Sequence, residues 1–142
     1  MTPEDIKRIE EKFSIVAPRD WVQVMLNYPE KLATLAMPDG SLIREYDLCN
    51  DADFLIELND EVRLEPITDG DYSLLEWPEP ILVIGDDGGG DYFCLDVGDP
   101  EGLVWRFDHI RCQFYDYADS VTQYVAALIE AYSPDASPEE PK

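Results

Sequence analysis

The chain has 142 residues, enough for one domain of ordinary size, and 45% of them are hydrophobic, enough to build a packed core. Its 32 acidic residues against 10 Lys and Arg give a formal net charge of −22 at pH 7. A charge of that sign repels nucleic acids, phosphate ligands and anionic membranes, and it attracts basic proteins.

The N-terminal part of the chain is predicted to be helical. The first helix begins at Pro3, behind Thr2 as a capping residue, and its apolar side is formed at helical spacing by Ile6, Ile9 and Phe13. A second helix begins at Pro18 and ends at Pro29, with an apolar face that comprises Trp21, Met25 and Tyr28. A further helical turn is predicted for residues 30–37.

The next segment predicts a strand, a helix and a second short strand. Residues 41–48 alternate between polar and apolar side chains, which is typical of a strand. Asn50 is suited to cap a helix over residues 51–61, whose apolar face comprises Phe54, Leu55, Leu58 and Val62. Residues 63–67 then predict a short strand before a turn at 68–71.

The middle of the chain predicts a meander of three strands. Ile81–Ile84 is a continuous apolar run, which indicates a central buried strand. Residues 92–97 and 103–107 alternate in polarity and predict the other two strands. The connecting loops are the glycine-rich segment 85–91 and a hairpin-like loop over 98–102.

The last predicted element is a helix, followed by a tail. Asp119 or Ser120 is suited to begin this helix, whose apolar positions are Val121, Tyr124, Val125, Leu128, Ile129 and Tyr132. The polar, proline-rich residues 133–142 predict a disordered tail. The order of the elements predicts one α+β domain over residues 1–132, with N-terminal helices, a central and mostly antiparallel sheet, and a closing C-terminal helix.

Cysteine use and hydropathy bear on the compartment. Cys49, Cys94 and Cys112 match no zinc-ligand spacing, and free thiols fit a reducing cytoplasm. The charged N-terminus shows no secretory signal, and no apolar run approaches the roughly 20 residues of a membrane helix. We therefore expect a cytoplasmic protein that does not enter the membrane.

The loop GDDGGGD, residues 85–91, is the most unusual segment of the sequence. A phosphate-binding loop usually carries a lysine, whereas this loop carries three aspartates and none. Asp86, Asp87 and Asp91 could instead hold a divalent cation, although their order is not that of an EF-hand. The favoured interpretation is a tight turn between strands, in which aspartates accept hydrogen bonds from nearby backbone N–H groups.

No pattern of catalytic residues is recognisable. His109 is the only histidine, and its spacing to Cys112 has no matching second pair. The sequence has no nucleophile elbow, Walker loop or zinc-protease helix. We therefore expect no catalytic residue and no cofactor, and a structural role for His109.

An acidic segment is the candidate partner-binding surface. Residues 47–71 hold nine acids and one arginine. The candidate residues are Asp47, Asp51, Asp53, Glu57, Asp60, Glu61, Glu65, Asp69 and Asp71, with Tyr72 and Trp77 as aromatic anchors beside them. Ordinary loop packing of the aromatics, and an acidic surface that serves only solubility, are the alternatives.

The segment from Trp77 to His109 resembles the central signature of the SUKH superfamily, which includes fungal cell-wall-assembly regulators and bacterial immunity proteins. The residues that carry the resemblance are Gly85, Asp86, Gly88, Gly89, Gly90, Asp91 and Asp96, followed by Gly102 and His109. Residues 17–26 and 118–132 are similar to the second and the closing helix of that family.

The resemblance implies an α+β fold and a protein-binding role without catalytic residues. It favours an immunity protein that neutralises a basic toxin. A nuclease needs a basic cleft to hold phosphates, and an inhibitor can present carboxylates to that cleft. A scaffold or regulatory protein with another cytoplasmic partner is the alternative, and a metal-dependent enzyme that uses the aspartate-rich loop is a remote one.

Overall fold

A computed structural model describes residues 1–34, 46–64, 67–68, 74–99 and 101–132. The predicted α+β class is confirmed, with N-terminal helices, an antiparallel meander and a C-terminal helix. The elements in chain order are α1 (Pro3–Phe13), α2 (Arg19–Leu26), α3 (Glu30–Thr34), α4 (Ala52–Leu64), β1 (Ile67–Thr68), β2 (Leu74–Leu75), β3 (Ile81–Asp86), β4 (Tyr92–Asp96), β5 (Val104–Asp108), β6 (Gln113–Ala118) and α5 (Val121–Tyr132).

The main sheet has four strands in the order β3-β4-β5-β6, all antiparallel, where the sequence predicted three. The additional strand, β6, carries exposed polar residues, so it lacks the apolar alternation that revealed the others. Its register against β5 shifts between Asp116 and Ala118, which leaves Tyr117 as an extra, bulged residue. Strands β1 and β2 form a separate two-stranded sheet.

Strand β3 is buried as predicted, but it is the terminal strand of the sheet and not a central one. The segment before α4 covers its edge, because Cys49 N–H donates to the oxygen of Ile84 at 2.9 Å and Asp86 N–H donates to the oxygen of Tyr46 at 3.1 Å. The backbone of this segment therefore covers part of the edge of β3 in place of a neighbouring strand.

Asn59 of α4 completes the cover of the β3 edge. Its side chain is fully buried, and its amide bonds both backbone groups of Val83, with Val83 N–H donating to Oδ1 at 2.8 Å and Nδ2 donating to the carbonyl at 2.9 Å. Arg63, one turn further along α4, donates to the oxygen of Ile81 at 2.7 Å. These side chains act as a substitute for a fifth strand.

Each face of the sheet has its own apolar cluster. The larger cluster joins one face to α1, α2, α3 and α5, and its fully buried side chains include Ile9, Trp21, Met25, Leu32, Leu95 and Tyr124. The smaller cluster lies on the other face, where Trp77 packs edge-on against Phe107 and Phe114 with ring centroids 5.2 Å apart. The thiol of Cys94 is buried in this second cluster.

Helix starts follow the sequence closely, with one exception. The hydroxyl of Thr2 accepts from Asp5 N–H and the Asp5 carboxylate accepts from Thr2 N–H, which forms a complete capping box. Asn50 was predicted to cap α4, but Asp51 does so, by accepting from Phe54 N–H at 3.1 Å. Asn50 instead donates to the oxygen of Met25, and this contact ties the segment to α2.

Several predicted boundaries differ from the observed ones. Residues 46–48 form a turn, and residues 41–45 of the predicted first strand lie outside the described residues. Helix α4 continues to Leu64, so residues 63–64 are helical and not part of a strand. Phe54 was assigned to the apolar face of this helix, but it is 47% exposed. Residues 35–37 and the tail 133–142 lie outside the part of the chain that the structure describes.

We predict that Asn59→Leu lowers the free energy of unfolding by about 3 kcal/mol, because the buried N–H and C=O of Val83 lose their partners. Urea titration followed by tryptophan fluorescence measures this. Asn27→Leu is the control, since Asn27 is exposed and its amide, among the described residues, bonds within its own helix end. An Asn59 variant as stable as the control would contradict the role of this residue in closing the sheet edge.

Candidate functional site

The loop between β3 and β4 is organised by its own aspartates. Asp86 accepts from Gly88 N–H at 2.6 Å, while one carboxylate oxygen of Asp87 accepts from Gly89 N–H at 2.7 Å and Asp91 N–H at 3.1 Å. Burial raises the pKa of Asp86; the bond from Gly88 opposes this only in part, and the charge of Asp87 adds to it. The geometry agrees with the predicted turn, in which carboxylates replace missing backbone acceptors.

Arg106 of β5 connects the two ends of this loop. Its guanidinium donates to Asp87 at 2.8 Å and to Asp91 at 3.1 Å, and it lies over the rings of Phe93 and Tyr117, 5.1 and 5.8 Å from their centroids. Burial alone would lower the pKa of Arg106, but the two carboxylates outweigh it and raise that pKa. Sequence reasoning missed this residue; the available signal was a lone cation within an otherwise apolar strand pattern.

His109 closes the network from the β5–β6 turn. Asp91 accepts from His109 N–H at 3.0 Å and contacts its Nδ1 at 2.5 Å. The imidazole lies against Gly90, where a Cβ atom would come within 3.0 Å of the ring, and Gly90 has a φ of +109°. His109 and Gly90 therefore fit together in close contact, and the structural role of the histidine stays a prediction.

Gly85 allows a close approach on the opposite side of the loop. A Cβ atom at Gly85 would lie 2.0 Å from the carbonyl oxygen of Asp47, whose segment runs along β3. The same approach buries Asp47, which is 7% exposed. The remaining signature residues shape the β4–β5 hairpin: Asp96 accepts from Gly98 N–H at 2.9 Å, and Gly102 adopts a φ of +69°.

Within the described residues, one group of three side chains could hold a metal ion, formed by Asp91, Asp108 and His109, whose ligand atoms lie within 4.8 Å of one another. Asp86 and Asp87, proposed from the sequence as cation ligands with Asp91, are not part of it. Asp108 already accepts from Ile110 N–H at 2.9 Å, and Asp91 holds His109 and Arg106. The carboxylates of this group thus serve the turn itself.

The acidic residues of α4 divide into two sets. On the flank facing α1, Asp53 pairs with Arg8 at 2.9 Å and Asp60 pairs with Lys12 at 3.7 Å. Glu57 is exposed and forms no ion pair with another described residue. Glu61 likewise is exposed and lacks a cationic partner among those residues.

The exposed side of α4 also carries apolar side chains. Phe54 is 47% exposed and Leu64 is 78% exposed. With a helical period of 3.6 residues, Phe54, Glu57, Glu61 and Leu64 fall within roughly a quarter of the helix circumference. We call these four residues the α4 stripe; it combines two carboxylates with two apolar side chains.

The other predicted partner-binding residues are placed differently. Asp51 is exposed but caps α4. Trp77 is 8% exposed, and its Nε1 donates to the oxygen of Ile81 at 2.8 Å, so it packs in the interior and does not present an anchor. The four candidates that lie outside the described residues are Glu65, Asp69, Asp71 and Tyr72.

The fold and the loop network define a class of protein, a small α+β domain with a four-stranded meander and an Asp–Arg–His network at one loop. The chain belongs to the SMI1 / KNR4 family (SUKH-1), whose family model matches residues 1–127. This family includes immunity proteins and Smi1/Knr4 regulators, and its members are generally non-catalytic. No curated protein and no solved structure matches the chain. None of the described helices is long and apolar enough to cross a membrane.

We predict that Gly90→Ala lowers the free energy of unfolding by about 2 kcal/mol, because the methyl group would press on His109 and the backbone would be strained. Gly88→Ala is the matched control, since Gly88 also has a positive φ, of +83°, but no atom lies within 4 Å of its Cβ position. Thermal unfolding of both variants measures the difference. Equal losses would show that the contact with His109 contributes nothing.

We predict that ionisation of Asp91 makes the free energy of unfolding depend on pH in the acid range. Burial would raise the pKa of Asp91, but hydrogen bonds from His109 and Arg106 outweigh it and hold the pKa below its usual value. The pKa of Asp91 is lower in the folded than in the unfolded state. Ionised Asp91 therefore stabilises the fold above about pH 4, where an unfolded aspartate is also ionised. This stabilisation is lost as the pH falls through the pKa of the folded state.

Urea unfolding over a pH series tests this with Asp91→Asn. The difference in unfolding free energy between the wild type and the variant should be largest at neutral pH and shrink in acid. Asp53→Asn is the control, because the Asp53 side chain is 86% exposed and its surface ion pair contributes little. A difference for Asp91→Asn that does not change with pH would refute the prediction.

Proposed function

We propose that this chain is an immunity-type protein that binds a basic, nuclease-type toxin and masks its cationic cleft. Membership of a family that includes immunity proteins supports this, as does the net charge of −22. A nuclease cleft is cationic because it holds phosphates, so carboxylates on a folded inhibitor can occupy the same field. The protein acts by occupying a surface and not by turning over a substrate.

The observation that carries the proposal is the α4 stripe. Glu57 and Glu61 are exposed beside the apolar side chains of Phe54 and Leu64. Exposed charges accelerate encounter with an oppositely charged partner, while desolvated apolar and aromatic groups supply most of the affinity. One helix face therefore offers both parts of an interface.

The pairing of α4 with α1 fits this use of the helix. Arg8 and Lys12 face Asp53 and Asp60, on the flank where the two helices meet. The negative charge on the other flank is left uncompensated by described residues, so the field is strongest where a partner can approach. Of the sequence-based candidates, Glu65, Asp69, Asp71 and Tyr72 follow α4 in the chain and stay candidates for partner binding.

The cytoplasm is the compartment we propose for this interaction. The three cysteines form no disulfide bond with one another, and two of them, Cys49 and Cys94, are buried. Burial raises the pKa of the Cys94 thiol, which keeps it protonated and unreactive. Unpaired thiols persist where the environment is reducing.

A regulatory protein that binds another cytoplasmic partner is the second candidate, because the family also includes the Smi1/Knr4 regulators. The two candidates differ in the partner and not in the mode of binding. The product of the neighbouring gene distinguishes them: a secreted protein with a basic nuclease domain supports immunity, whereas a partner without toxicity supports regulation.

We predict that Glu57→Lys combined with Glu61→Lys slows association with the cognate toxin at least about tenfold, because steering by complementary charge is reversed at the stripe. Surface plasmon resonance at several salt concentrations measures the association rate. For the wild type this rate should fall as salt rises, since screening shortens the reach of the field.

The matched control is Glu76→Lys combined with Glu101→Lys, two exposed glutamates that are not part of α4 and carry the same total change in charge. If both pairs of substitutions slow association equally, net charge and not the stripe directs binding. A wild-type association rate that is independent of salt would remove the electrostatic proposal altogether.

A further inference from the structure

A pocket of about 210 Å³ lies between the sheet, the β3–β4 loop and α5, and its lining residues include Asp87, Phe93, Arg106, Tyr117, Ala127 and Ala131. It is separate from the α4 stripe, since no residue of the stripe lines it. The loop network described above forms one wall, so the signature residues of the family hold this wall in place. The Tyr117 side chain, at the wall, is 47% exposed.

The two sides of the pocket differ in chemistry. On the α5 side, Ala127, Leu128 and Ala131 present small or aliphatic groups. On the sheet side, the rings of Phe93 and Tyr117 lie 5.1 Å apart beside the ion pair of Asp87 with Arg106. A long side chain with an aliphatic stem and a polar, positively charged end matches this arrangement.

The charges of Arg106, Asp87 and Asp91 on the sheet side of the pocket add up to a net negative charge. Arg106 is opposed by two carboxylates, those of Asp87 and Asp91. A carboxylate has about four acceptor sites. Three acceptor sites of the Asp87 carboxylate are occupied by described donors, namely Gly89 N–H, Asp91 N–H and Arg106. Asp87, which lines the pocket, therefore keeps acceptor capacity for about one further donor.

We propose that this pocket receives a cationic side chain, lysine or arginine, of the protein partner. The proposal rests on the proposed function and specifies a contact by which a basic partner is recognised. Arg106 shows within the chain that a guanidinium is accommodated between these carboxylates and rings. The stem of the incoming side chain packs on α5, and its charged end meets Asp87 and the face of Tyr117.

A purely apolar occupant fits less well. It would cover the ion pair of Arg106 with Asp87 without offering a donor, and burying charged groups without additional hydrogen bonds is costly. The net charge of −22 also selects for basic partners over acidic ones at long range. These arguments favour a cation over a neutral side chain of similar length.

The first test fills the pocket from α5. Ala127→Trp and, one turn further on, Ala131→Trp should each weaken binding of the cognate toxin at least about tenfold, as measured by isothermal titration calorimetry, because the indole occupies the space of the partner's side chain. Ala126→Trp is the matched control, on the same helix and exposed, but not lining the pocket. Circular dichroism confirms that each variant is folded.

Unchanged affinity in both filled variants would overturn the proposal, as would an equal loss in the Ala126 control. These outcomes are distinguishable from failure of the proposed function. If the Glu57 and Glu61 reversals abolish binding while filled pockets bind normally, the acidic stripe stands and the pocket assignment falls. If no basic toxin binds the wild type, the proposed function itself falls.

The second test needs no toxin. Nα-acetyl-arginine amide, Nα-acetyl-lysine amide and the neutral isostere Nα-acetyl-citrulline amide are titrated into the 15N-labelled full chain. The cation that the pocket accepts should shift the amide signals of Asp87, Arg106 and Ala127, and citrulline should not. Comparing the arginine and lysine titrations identifies the preferred cation. No shift with either cation, or an equal shift with citrulline, would overturn the proposal.

Discussion

The guanidinium of Arg106 is the contact on which the candidate site depends. It joins Asp87 and Asp91, which are the acceptors that shape the glycine-rich turn, and Asp91 in turn holds the His109 turn at the other end of β5. Without that cation, two carboxylates would face each other in a partly buried site, which is unfavourable. Arg106 thereby fixes β5 to the β3–β4 loop, and Asp91 extends the network to the His109 turn.

The same network gives the glycine-rich signature a physical meaning. Gly85 accommodates the segment that covers β3, and Gly90 accommodates the imidazole of His109. Both glycines allow parts of the protein to come close together. These glycines therefore serve the framework of the β3–β4 loop and of the segment that covers β3.

Much of the fold was predictable because it depends on local patterns. The capping box at Thr2, the periodicity of α5 and the alternation in β4 and β5 are encoded within a few residues of each other. The partners of Arg106 lie 15 and 19 residues away in the chain, so that contact depends on strand register and was missed. Trp77 was assigned to the surface from its polar neighbours, whereas cross-sheet packing buries it.

The two edges of the main sheet differ in how they meet solvent. Asn59, Arg63 and the segment before α4 saturate the outer backbone groups of β3, so polymerisation by strand pairing cannot start there. At β6, the bulge at Tyr117 breaks the regular spacing of backbone groups and Asp116 adds a charge. An extended aggregate would need two matching edges, and the described part of the main sheet supplies none, so its strands add no further strand from a second copy.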